Sequence, residues 1–104
     1  MASTKEYLAY ILDLLSGLDD ISYRAMMGEY VVYYKGKVFG GVYDDRFLIK
    51  ATPSALGMMP DAELELPYEG GSKMILIDTE DRDLIRQTIE ATIKDIPEPK
   101  KRKN

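Results

Sequence analysis

The spacing of apolar residues changes period along this chain, and the changes mark its elements. Tyr7, Leu8, Ile11, Leu12, Leu14, Leu15 and Leu18 recur at helical spacing, which predicts an amphipathic helix over residues 3–16 with Ser3 and Glu6 as a capping box and Gly17 placed to end it. After a link at Asp19-Asp20-Ile21-Ser22 the pattern becomes rich in Val, Ile, Tyr and Phe. Residues 29–35, 37–43 and 46–50 read as three strands of an antiparallel meander, because Lys35-Gly36 and Asp44-Asp45 are short turn-forming pairs. In the first of these strands Tyr30, Val32 and Tyr34 share one face and Val31 and Tyr33 the other, so neither face is plainly polar. Helices would cover one side, and a partner or a second copy of the chain would suit the other. Gly40-Gly41 within the second strand sacrifices side-chain packing and predicts a bulge or a close backbone approach.

The second half returns to mixed periods. Thr52-Pro53 has the form of a threonine cap and a proline at the first helical position, with Gly57 closing a short helix. Residues 64–67 predict a short strand, and residues 73–78, built on Met74, Ile75, Leu76 and Ile77, a buried one. Asp78 or Thr79 would cap a last helix with Glu80, Asp81 and Asp83 in its first turn. Leu84, Ile85, Ile89, Ile93 and Ile96 form its buried stripe, and Pro97 and Pro99 stop it. The expected fold is a two-layer α+β domain with an antiparallel sheet of about five strands. Helices at both chain ends pack on one face, in the order helix, three strands, helix, two strands, helix. Residues 1–97 make the domain and residues 98–104 a basic tail expected to stay disordered.

Composition narrows the chemistry more than it names it. A chain of 104 residues suits one domain with a modest core. Cysteine and histidine are both absent, which removes disulfides, thiolate catalysis, the common zinc sites and imidazole acid–base chemistry. No glycine loop has the strand–loop–helix setting of a phosphate cradle, so no cofactor is expected, and no elbow motif would activate a serine. The pairs Asp19-Asp20 and Asp44-Asp45 read as turns rather than as metal ligands or catalytic carboxylates. Formal net charge is −4, and Lys100, Lys101, Arg102 and Lys103 supply four of the fourteen basic groups, leaving ten against eighteen acidic ones, or −8, in the body. Such a body repels a phosphate backbone, so direct nucleic-acid binding is disfavoured. The amino end lacks the apolar run of a signal peptide and nothing approaches membrane-spanning length, so a cytoplasmic location is expected.

The residues that invite a functional reading are Arg24, Met27, Gly28, Glu29 and Tyr30. Arg24 and Glu29 suit either an ion pair that orients the first helix against the meander or a recognition site for a partner. The same series carries a family resemblance. The opening Met1-Ala2-Ser3-Thr4-Lys5-Glu6-Tyr7, then Arg24, Met27, Gly28 and Tyr30, then Gly36-Lys37-Val38-Phe39 and Pro67-Tyr68-Glu69-Gly70 resemble the TfoX N-terminal domain family over residues 1–96. Met27 departs from the phenylalanine frequent in that family, a swap between large apolar residues. The resemblance implies the fold set out above, similar to that of type III secretion chaperones, and an association with regulation of natural competence. Larger members add a carboxyl-terminal helical domain, and transcriptional control or DNA contact belonging to that domain is not expected to transfer. The expectation is therefore a noncatalytic regulatory or protein-interaction module with a protein partner or a second copy of itself. The alternative is a small-ligand binder using a tyrosine-lined sheet surface built on Tyr30, Tyr33, Tyr34 and Tyr43.

Overall fold

A computed structural model describes residues 3–97. Thr4 caps the first helix, α1 (Lys5–Leu14), its side-chain oxygen accepting from the Tyr7 N–H at 3.1 Å. Four strands follow, β1 (Ile21–Met26), β2 (Glu29–Tyr34), β3 (Lys37–Val42) and β4 (Phe47–Lys50), then α2 (Pro53–Met58), β5 (Leu64–Glu65), β6 (Met74–Leu76) and α3 (Arg82–Lys94). They build one antiparallel sheet in the order β1-β2-β3-β4-β6-β5. The α+β class, the meander, the Thr52 cap and the two terminal helices are as the pattern predicts.

The strand count is six, because the link and the residues after it form β1. Ile21, Tyr23 and Ala25 alternate with Ser22, Arg24 and Met26, a period-2 pattern that the polar residues dilute. What defines the strand is the turn after it, Met27-Gly28, where both residues take positive φ, 53° and 85°. Lys35-Gly36 and Asp44-Asp45 do the same, so three two-residue turns of the kind that matches strand twist connect β1 through β4. Two helix starts are also corrected. Thr4 rather than Ser3 caps α1, because Ser3 is engaged elsewhere; Asp81 rather than Asp78 or Thr79 caps α3, accepting from the Leu84 N–H at 3.1 Å. Gly57 lies inside α2 instead of closing it.

Register fixes the faces. Tyr30, Val42 and Phe47 form one cross-strand row and Val32, Gly40, Ile49 and Ile75 the next. Against these rows pack Leu8, Ile11 and Leu14 of α1 and Ile85 and Ile89 of α3, giving one core. Thr88 and Thr92 are also fully buried in α3, and each hydroxyl donates to the carbonyl one turn back, Leu84 and Thr88 respectively, so neither is left unsatisfied. Phe39 is the extra residue of a bulge, since Val32 faces Gly40 while Tyr33 faces Val38. A Cβ on Gly40 would run into the Leu48 carbonyl and the Ile49 Cα, so the predicted close approach is to the neighbouring strand's backbone. The basic tail expected over residues 98–104 lies outside the described residues.

Candidate functional site

Arg24, Met27, Gly28, Glu29 and Tyr30 all fall on the β1–β2 hairpin. The hairpin lies at one edge of the sheet, where β1 pairs only with β2 and five of its six residues are exposed. An edge strand presents unpaired N–H and C=O groups on its outer side. In this two-residue hairpin, alternation of the ladder puts those groups on Ile21, Tyr23 and Ala25.

Met27 occupies the hairpin tip and is 98% exposed. Its φ of 53° is a conformation that costs a non-glycine residue about 1 kcal/mol, and the favoured residue there is asparagine. Neither packing nor backbone preference accounts for a large apolar side chain at this point. Tyr23 on the helix face of β1 and Met26 on the opposite face, each about half exposed, add apolar side chains to the hairpin, and Tyr23 stands edge-on to Tyr30 with ring centroids 5.9 Å apart. Sequence reasoning missed both, since without β1 they belong to no surface.

Arg24 and Glu29 do not meet. Arg24 is exposed opposite Val31, and among the described residues no ion pair joins it to Glu29. The Glu29 carboxylate instead accepts from the Ser3 hydroxyl at 2.6 Å, the Ser3 N–H at 3.2 Å and the Asp44 N–H at 3.0 Å. Asp45 accepts from the Thr4 N–H at 2.8 Å, and its own N–H donates to the Ser3 hydroxyl. Ser3 N–H also reaches the Gly28 carbonyl at 3.0 Å. Glu29 thus does orient the start of α1 against the meander, but through Ser3 and the Asp44-Asp45 turn.

The face opposite the helices holds a second feature. Its rows run Arg24, Val31, Gly41, Leu48 and Leu76, flanked by Lys50, Met74 and Glu65. Residues 66–73 fold over part of it. The Arg46 guanidinium ties that segment down, donating to Glu65 at 2.8 Å and to the Pro67 carbonyl at 3.4 Å, and Tyr68 meets Tyr43 with centroids 6.0 Å apart. Arg46 also holds the Glu65 carboxyl below its ordinary range, while Glu63 beside it is raised by the hydrogen bond between the two. Between this segment and β3 lies an open groove of about 520 Å3. The tyrosine-lined surface expected from sequence is divided, because Tyr30 and Tyr34 belong to the helix face and only Tyr43 of the four lines the groove, where Tyr68 joins it.

Among the described residues no group of carboxylates is arranged to hold a metal ion, and no helix is long and apolar enough to cross a membrane. A family model described as the TfoX N-terminal domain matches residues 13–95. The chain is also similar, at 29% identity over 99% of its length and 91% of the relative's, to an uncharacterized 12.7 kDa protein in the trpE 5′ region of Spirochaeta aurantia.

Proposed function

The chain belongs to the TfoX N-terminal domain family, and from that premise we propose that it is a noncatalytic regulatory module that acts through protein contact, with the β1–β2 hairpin as the contacting surface. The observation that carries this reading is Met27, an apolar side chain held at the tip in a backbone conformation unfavourable to it and almost wholly in water. Local choices that cost stability without a packing return are where functional demand is expected. Methionine suits such a surface because its flexible, polarizable side chain adapts to a partner. The neighbouring edge of β1 supplies main-chain donors and acceptors, the means by which a sheet accepts an added strand.

The partner is another protein or a second copy of this chain, and two measurements separate these. Light scattering at micromolar concentration reads the copy number. Affinity capture from the source cells is run with wild type beside a Met26→Glu, Met27→Glu variant whose melting curve matches it. A dimer, or a captured protein, that the variant loses supports the hairpin. A monomer whose captured proteins are the same for both chains, or absent for both, overturns it.

A further inference from the structure

We infer that the groove on the open sheet face is a binding site for a small aromatic carboxylate. The site lies away from the hairpin tip, shares only Val31 with the hairpin and goes beyond the proposed function. Its floor is apolar, formed by Val31, Val38 and Met74, with bare backbone at Gly40. Tyr43 and Tyr68 line it with rings inclined at 62°, offering an edge and a face to a flat ring. The Met74 thioether adds the sulfur–aromatic contact that such a ring favours.

Charge selects the rest of the ligand. Among the described residues no carboxylate lines the groove, whereas Lys50 and Lys73 both do. Among the described residues neither lysine has an ion-pair or hydrogen-bond partner, so both ammonium groups are available. The nearest carboxylate by register, Glu65 opposite Met74, is already held by Arg46. Burial, with Tyr68 and Glu29 adding to it, pushes the Tyr43 phenol above its ordinary range, so it stays protonated and able to donate. Ser72 and Thr52 contribute further hydroxyls to the lining. A groove of about 520 Å3 is within the size range of small-molecule sites, about 300–1,000 Å3.

The wall is also held in place. Pro67 is buried, Arg46 bridges it and Glu65, and the Tyr68 ring meets Tyr43, so the wall is anchored at Pro67 and Tyr68. A preorganised wall spares the ligand the cost of ordering it.

The test titrates the full chain with 2-naphthoate, followed by calorimetry and by NMR of the tyrosine rings and methionine methyls. Saturation with a Kd below about 1 mM is expected, with shifts at Tyr43, Tyr68 and Met74, at least about tenfold weaker binding of the uncharged 2-naphthamide, and a similar loss in a Lys50→Gln, Lys73→Gln variant. Both lysines are exposed and unpaired, so that variant is expected to melt as wild type does. No saturation up to about 5 mM, shifts confined to other residues, amide binding as tight as the carboxylate, or unchanged affinity in the lysine variant each overturns the assignment.

Discussion

The two edges of the second strand live in different physical worlds. On its β3 side the strand enters a region where Val32, Phe39, Val42, Phe47, Ile49 and Ile75 are all fully excluded from water and Gly40 cannot accept even a methyl group. On its β1 side, the next strand is exposed at five of six positions and runs into a turn where Met27 lies almost wholly in water. Both regions are apolar by composition, but only the first uses its apolar side chains to fold. Hydrophobicity therefore reports stability in one region and availability in the other, and only strand order tells them apart.

Replacing Gly40 with valine would break the central region most severely. The added carbons meet backbone rather than a yielding side chain, so a loss of more than about 3 kcal/mol, or failure to fold, is expected in urea denaturation. If Gly40→Val folds with near wild-type stability, the centre is looser than its packing implies.

Glu29→Ala comes next, at the junction of the two regions. It removes the carboxylate that accepts from the Ser3 hydroxyl and the Asp44 N–H, leaving the hydroxyl only the Val42 carbonyl at 3.4 Å, and a loss of about 2 kcal/mol is expected from charge-assisted hydrogen bonds of this kind. Arg24→Ala, by contrast, should move stability by less than about 0.5 kcal/mol, because Arg24 is an exposed surface residue with no pairing to Glu29.

The flank of the core gives a smaller, pH-dependent effect. Asp95 accepts from the Ser54 N–H at 2.8 Å and from the Ser54 hydroxyl at 3.0 Å, and those bonds hold its carboxyl below its ordinary range. A depressed folded-state pKa favours the ionised form in the native protein. The contribution is complete above the unfolded-state pKa near 3.8 and disappears as pH falls through the lower folded value. Asp95→Asn should therefore flatten the acid side of the Tm–pH curve, and wild type and variant should converge at the lowest pH. Curves that stay parallel would remove Asp95 from that role.

Met27→Asn carries the smallest change and the opposite sign. Asparagine accepts the positive φ at this turn, so a gain of a few tenths of a kcal/mol is expected, on the order of 0.5. Loss of the captured partner or of the dimer alongside that gain would separate folding from contact at a single residue. A loss of stability instead would mean that Met27 packs on something in the folded monomer.

The sequence made the centre legible because there the signals agree. Val, Ile and Phe alternate, Lys35-Gly36 and Asp44-Asp45 mark turns, and the glycine pair marks the bulge. β1 was hidden because its defining turn, Met27-Gly28, has a large apolar residue where turn chemistry favours a small polar one, and because Ser22 and Arg24 interrupt its apolar set. The five residues singled out as a site do cluster on one hairpin, yet the expected Arg24–Glu29 pairing does not form, and the partner that Glu29 does take was hidden by its distance along the chain. Glu29 is bonded to Ser3, 26 positions away, in preference to a neighbour five positions off. The groove was legible only as a surplus of tyrosines, since which of them share a face depends on register and Tyr68 arrives from a separate loop.

The hydrogen bond from Ser3 N–H to the Gly28 carbonyl makes Ser3, at the foot of α1, a close neighbour of the hairpin tip. A bulky domain fused immediately ahead of Ser3 would start beside the Gly28 carbonyl, one residue from Met27, and would compete for the space a partner would use. An amino-terminal fusion is thus a built-in steric probe of the hairpin. Fused at that end, a bulky domain should shield Met27, whereas the same domain at the other end provides the comparison that shows whether shielding alone abolishes contact.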